Sequence, residues 1–380
     1  MIYLNQAATS YPKPQRVLNA HAESLSIIPS GQFRSSSDTV GAEDLFTKCK
    51  KNLGKLLGIK NTERIYFTSG ATAAANAIIQ GLNLKNTQVV TTATEHNSIL
   101  RPLFNLRGEQ GVVTVVPCDK NGYVKPKDIE QSLTTDVKVV FVNHCSNVTG
   151  MVQNIEEITN IVHEKGIPII IDASQSAGCL PIDVDRWGID GLIFTGHKSL
   201  FGSQGTGGYY VKETLALKPF MFGGTGYDSS RIEYDESFYE FEVGTGNMPG
   251  IIDLDAGVSY ILDKGIEQIQ KEERAKMKKL YEGLEKLKKV IVYGNYDTNL
   301  GPVLSFNIAG LGASDVSYIL QNAYQIITRT GLHCAPLIHN YLGSGEKGTV
   351  RVSISDLTKE SDIASFLEAI TDIADSVEGL

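Results

Sequence analysis

The chain has 380 residues, of which 42% are hydrophobic and 21% charged, and its formal net charge is −8 at pH 7. That length can bury a sizeable core and suggests two domains, while the acidic balance argues against nucleic acid or an anionic membrane as the main partner. No run of about 18 apolar residues occurs, so no membrane-spanning helix is expected, and the opening M-I-Y-L-N-Q-A-A-T-S lacks the basic and apolar regions of a secretion signal.

From about Arg64 to Lys212 short apolar runs alternate with amphipathic stretches, the pattern of strand–helix units around a mostly parallel sheet. The spacing predicts strands over 64–70, 88–94, 138–144, 167–173, 191–196 and 207–212. A helix is predicted over 154–166, where apolar residues recur at helical spacing and a glycine stands at the stop. Residues 251–290 read as one long helix, rich in lysine and glutamate from Glu267, solvated and lying between domains. The natural boundary falls near Gly244–Gly250, where V-G-T-G-N-M-P-G cannot continue a regular element. The remainder alternates strand and helix signals, as in a small α+β domain.

Five cysteines, Cys49, Cys118, Cys145, Cys179 and Cys334, are scattered and include no C-x-x-C. A disulfide framework is not expected, and a reducing cytoplasm fits better.

Three strand-end loops carry polar residues that an ordinary α/β core does not need. T-S-G-A-T-A-A-A-N (68–76) runs from a strand through glycine into a helix, whose free N–H groups form an anion site to which Ser69 and Thr72 add hydroxyls. Asp172 ends a very apolar strand, where a carboxylate is costly without a cation. Lys198, in F-T-G-H-K-S-L, follows another apolar strand. All three loops should open at the carboxyl edge of one sheet, where such folds bind ligands. An anion cradle, an aspartate and a partly desolvated lysine fit pyridoxal phosphate: the lysine joins the aldehyde, the aspartate keeps the ring nitrogen protonated, and the helix start holds the phosphate. Singly, each residue is as well explained as a helix cap or a loop lysine.

The ordered series S-G-A-T, T-E-H-N-S, N-x-x-G, D-x-S-Q, G-H-K, R-T-G-x-H-C and V-R-V-S resembles the class V aminotransferase-type enzymes, and within them the cysteine desulfurases and selenocysteine lyases. The resemblance runs from Tyr3 to Ser353. It implies the fold type I of pyridoxal phosphate enzymes, an α/β architecture with a large, mostly parallel sheet of seven strands and a smaller α+β domain. The expected divisions are 1–15, packing with the small domain, 16–250 as the cofactor-binding domain, and 251–380 as the small domain carrying Cys334.

The same resemblance implies residue roles. His96 stacks over the cofactor ring and can pass protons. Asn147 lies near the cofactor oxygen and the substrate carboxylate, and Gln175 bonds the phenolic oxygen. Ala71, Thr72, Thr195 and His197 sit at the phosphate, which Thr225 reaches from the other subunit of a homodimer. Arg351 clamps the amino-acid carboxylate, a task suited to a bidentate guanidinium. Two departures stand out. Asn5 and Gln6 replace the usual Asp-Asn after Y-L, and Gly202–Ser203 replaces glycine–proline.

Cys334 sits in T-R-T-G-L-H-C-A-P-L-I-H, between His333 and His339. Zinc ligation is disfavoured because adjacent ligands on a short loop close a tetrahedron poorly. A disulfide is disfavoured by compartment, and a structural thiol usually lies inside an apolar run, as Cys118 and Cys179 nearly do. The resemblance implies a thiolate that takes sulfur from bound cysteine, leaving alanine and a persulfide that a sulfur-acceptor protein can collect. Selenocysteine lyase uses the same residues. Another class V reaction, such as transamination or epimerisation, would need Lys198 and Asp172 but not Cys334. A dinucleotide module based on G-S-Q-G-T-G-G (202–208) is disfavoured, because that run precedes a strand rather than opening a helix.

Overall fold

The computed structural model describes residues 1–27, 45–224, 230–233, 241–296 and 300–377. In chain order its strands are β1 (Ile2–Tyr3), β2 (Ile65–Thr68), β3 (Gln88–Thr92), β4 (Val112–Val116), β5 (Val137–Asn143), β6 (Ile169–Asp172) and β7 (Gly191–Thr195). There follow β8 (Gly207–Val211), β9 (Val290–Tyr293), β10 (Val303–Ile308), β11 (Ile326–Ile327), β12 (Arg329–Gly331) and β13 (Thr349–Ser353).

Seven strands form the large sheet in the order β2-β8-β7-β6-β5-β3-β4. Neighbours from β7 through β4 pair in parallel, whereas β8 runs antiparallel to both β2 and β7. The central strands β5, β6 and β7 are buried almost throughout. This explains their continuous apolar runs, since helices cover both faces of the sheet. Apart from the exposed Lys138 near the start of β5, polar residues appear only where these strands end, at Asn143, Asp172 and Thr195, which places them at one carboxyl edge.

Tight approach of β8 to the start of the helix Ala71–Gly81 requires glycine. A Cβ on Gly207 would stand 2.6 Å from Gly70 Cα and 2.9 Å from Phe194 O. The missing side chain brings the helix start against the middle of the sheet, beside Thr195.

The smaller sheet has the order β12-β13-β10-β9, all antiparallel. Its core gathers Leu304, Phe306, Val350, Val352, Phe366 and Ile370 with Leu4 from the N-terminal segment. That segment pairs β1 with β11 in parallel and then crosses to the large sheet, where Ser10 N donates to His197 O at 2.9 Å.

The long helix expected over 251–290 is two helices, Met248–Lys264 and Ile266–Glu285, separated at Gly265 with φ of 86°. The boundary expected at 250 falls inside the first of these. Ile251, Leu254, Val258 and Ile261 belong to the core beneath the large sheet, which also takes in Ile269, Ala335, Ile338 and Leu342. The glycine-rich run 244–250 leads into and forms the first turn of this helix, which is capped by Asn247 accepting from Gly250 N–H. The second helix is not simply solvated, since Glu273 and Lys276 are buried on its inner side and bind Asp356 N and Asp356 O.

Candidate active site

The carboxyl edge of the large sheet opens into a cavity of about 310 Å³. Its floor is the strand ends, one wall is the helix Ala71–Gly81, and another is formed by β12 and β13. Of the residues expected in the site, Ala71, Thr72, His96, Asn147, Asp172 and Gln175 line it, as do Thr195, His197, Lys198 and Arg351. Thr225 lies outside the described residues. Cys334 lines not this cavity but an adjoining one of about 390 Å³ that shares Thr72, His96 and Ser98 with it. The thiol thus stands at the mouth and is exposed, whereas Cys49, Cys118, Cys145 and Cys179 are buried.

The helix Ala71–Gly81 begins at Gly70, with φ of 146°, and no side chain caps it. Its first N–H groups are left for an anion, and Ser69, Thr72, Thr195 and His197 surround the same end. His197 Nδ1 is buried without a partner, and burial followed by the charge of Lys198 lowers its pKa to about 4. The His197 carbonyl, by contrast, is heavily engaged. It accepts from Ser10 N, Thr9 Oγ1, Ser10 Oγ and Lys13 Nζ, which fixes the loop that carries Lys198.

Asp172 is 3% exposed, and its Oδ1 accepts from Ser174 N at 2.8 Å and from the Ser174 hydroxyl. The other carboxylate oxygen makes no hydrogen bond among the described residues. Lys198 Nζ likewise has no hydrogen-bond partner among them, and desolvation lowers its pKa to about 8, against the opposing pull of Asp172. Gln175 Nε2 donates to Ala7 O at 3.0 Å, so the N-terminal crossing also braces this wall.

His96 caps the helix Asn97–Leu106. Ser98 N donates to His96 Nδ1 at 3.0 Å, which leaves the proton of the neutral ring on Nε2. Burial, reinforced by the charge of Lys198, brings its pKa down to about 4. The following turn is tied to the Cys334 loop, because Asn97 N donates to Cys334 O at 2.7 Å. His333 and Cys334 both have positive φ, 52° and 59°, a sparsely populated conformation that turns the thiol outward. His333 Nε2 pairs with Thr349 Oγ1 at 2.9 Å, and His339 with Ser344 Oγ and Leu332 O, so both imidazoles help to hold the loop, while the His333 Nδ1 is buried without a partner at the cavity wall.

Arg351 is 1% exposed, donating from Nη1 to Asn147 O at 3.0 Å and from Nη2 to Asn5 Oδ1 at 3.2 Å. The register of the small sheet sets Arg329 directly opposite Arg351, and both guanidiniums line the cavity. Arg329 Nη2 also lies 3.6 Å from Cys334 Sγ. Two like charges opposite each other cost stability unless an anion is to sit between them.

Sequence reasoning missed Asn143 and Ser174, which line the cavity, and the buried Glu95, whose charge would act on Asp172. Asn143 ends β5 in register with Asp172 and presents a buried Oδ1 with no partner, so the argument that singled out Asp172 applies to it as well. Glu95 is fully buried with Oε2 unpartnered, and desolvation, then Asp172, pushes its pKa well above the ordinary carboxyl range. Ser174 stands inside D-x-S-Q but shows its role only through its bonds to Asp172.

A pyridoxal phosphate fits these residues. The uncapped helix start answers a phosphate, the free oxygen of Asp172 a protonated ring nitrogen, and the unpartnered Lys198 amine an aldehyde.

Comparison with known proteins gives a consistent result. The aminotransferase class-V family matches residues 2–366. A probable cysteine desulfurase of Methanothermobacter thermautotrophicus is 34% identical, over 98% of this chain and 94% of its own. The apo structure of the cysteine desulfurase from Thermococcus onnurineus NA1 superposes with a TM-score of 0.84 at 30% identity, covering 100% of this chain and 95% of that one. A cysteine desulfurase of Escherichia coli superposes with a TM-score of 0.85 at 25% identity, over 99% and 94%. With the family matched along nearly its whole length, this chain belongs to the class-V aminotransferases.

Proposed function

We propose that the protein is a pyridoxal phosphate-dependent cysteine desulfurase, converting L-cysteine to L-alanine and leaving the sulfur as a persulfide on Cys334. The observation that carries this reading is an exposed thiol, 3.6 Å from a guanidinium, at the mouth of a cavity holding a buried amine, a buried carboxylate and a second guanidinium. A transaminase or epimerase would have no use for that thiol. The names of the relatives point the same way.

Bound pyridoxal phosphate supplies an electron sink for the carbon skeleton of an amino acid. The chain's own residues do the rest. Arg351 takes the substrate carboxylate, with Asn147 beside it. Lys198, whose lowered pKa lets it exist as a free amine near neutrality, accepts the α-proton and returns a proton later. His96, neutral and carrying its proton on Nε2, would offer a bound cofactor ring a stacking surface and a donor. The Cys334 thiolate attacks the substrate sulfur. The new S–S bond forms as the Cβ–S bond breaks, and the electron pair of that bond stays with the carbon fragment, which is protonated to alanine. Arg329 Nη2 lies 3.6 Å from the attacking sulfur. We place the reaction in the cytoplasm of the cell, as a homodimer with Thr225 of each copy serving the other's phosphate and with a sulfur-acceptor protein as partner.

The test is Cys334→Ala. The variant is expected to bind the cofactor and keep its colour but release no sulfide from cysteine; sulfide release at the parent rate would exclude the thiol as acceptor.

A further inference from the structure

Among the described residues the guanidinium of Arg351 has no counter-ion. Its two partners, Asn147 O and Asn5 Oδ1, are neutral acceptors, and its Nε is buried with no partner. Among the described residues no carboxylate forms an ion pair with Arg351 or Arg329. A buried charge left this way is expensive, and the cost is raised by Arg329 directly across the strand pair. Burial and then Arg329 bring the Arg351 pKa down to about 9, the same deficit expressed as a weakened hold on the proton.

Asn5 is the residue placed to cancel that charge. It bridges to Ser353 beside β13, its carbonyl accepts from Tyr3 Oη at 3.2 Å, and its side-chain oxygen reaches Nη2 at 3.2 Å. An aspartate would fit the same space and turn the contact into an ion pair. The asparagine supplies the geometry of a partner without its charge.

We propose that Asn5 determines the affinity of the site for carboxylate substrates: being neutral, it orients Arg351 while leaving its positive charge for the α-carboxylate of the amino acid. This rests on the reading of Arg351 as the carboxylate clamp. An aspartate at position 5, the usual residue in the resembled family, would draw part of the guanidinium's charge to itself and leave less of it for a substrate carboxylate, so the asparagine here is expected to give the tighter hold. Asn5 is not among the residues lining the cavity and acts through Arg351, as a positioning residue.

The experiment compares wild-type holoenzyme with Asn5→Asp and Asn5→Ala. Dissociation constants are measured by calorimetry for L-alanine and for ethylamine, which is alanine without its carboxylate, alongside KM and kcat for cysteine. Asn5→Asp is expected to weaken alanine at least about tenfold, equivalent to about 1.4 kcal/mol. The KM for cysteine should rise by a similar factor, with kcat and ethylamine affinity changed much less. Asn5→Ala, which removes the hydrogen bond without adding charge, is expected to weaken alanine less than Asn5→Asp does. Equal losses for alanine and ethylamine, unchanged alanine affinity in Asn5→Asp, or a larger loss in Asn5→Ala would each overturn the proposal. Alanine binding does not require desulfuration. The expected pattern in an enzyme that releases no sulfide would support the role of Asn5 and count against the desulfurase reading alone.

Discussion

Stripping the cofactor and following its return against pH reads the Lys198 amine directly. Desolvation lowers the pKa of this lysine from 10.5 to about 8, with Asp172 opposing the shift and Arg351 and Arg329 adding to it. At pH 7 an ordinary lysine has roughly three neutral amines in ten thousand, and one with a pKa of about 8 roughly one in ten, a gain of roughly 300-fold. Only the neutral amine attacks an aldehyde. When pyridoxal phosphate is mixed with apoprotein in a stopped-flow spectrophotometer, the rate of carbon–nitrogen bond formation is expected to rise about tenfold per pH unit and flatten above about pH 8. Asp172→Asn removes the anion that holds the proton on, so its plateau is expected to begin at lower pH. A wild-type rate still climbing towards pH 10.5, or an identical midpoint in the two proteins, would refute the electrostatic account of this site.

Two other outcomes follow from burial. His96, with its pKa depressed to about 4, stays neutral throughout the range in which an ordinary histidine titrates. The rate–pH profile of cysteine turnover is therefore expected to show no inflection near 6.5 that His96→Asn removes, and such an inflection would contradict the assigned environment. Phe306 is completely buried in the small core, its ring edge-on to Phe366 with centroids 5.9 Å apart. Phe306→Ala is expected to cost about 3–5 kcal/mol, read as a lower midpoint in chemical denaturation; a loss under about 1 kcal/mol would mean that this core repacks freely.

The large sheet was legible because its central strands are covered on both faces, which forces uninterrupted apolar runs and makes each terminal polar residue conspicuous. Asp172 and Lys198 were conspicuous in this way, and Asn143 offered the same signal unread. The two helices at 248–285 were harder. A single glycine at 265 breaks the pattern without changing its period, and the buried Glu273 and Lys276 look like surface charges until Asp356 is brought against them.

Composition and periodicity alone determined that a parallel α/β sheet would gather an amine, a carboxylate and an anion-binding helix start at one edge, since strand direction and loop position follow from local pattern. Tertiary structure decided what local pattern cannot carry: that Arg351 faces Arg329 across a strand pair, that Asn5 reaches the first of these from 346 residues away, and that Cys334 turns outward at the mouth rather than into the cavity. Each of these depends on the register and packing of segments distant in sequence, and therefore on the energy of the whole fold rather than on any stretch of it.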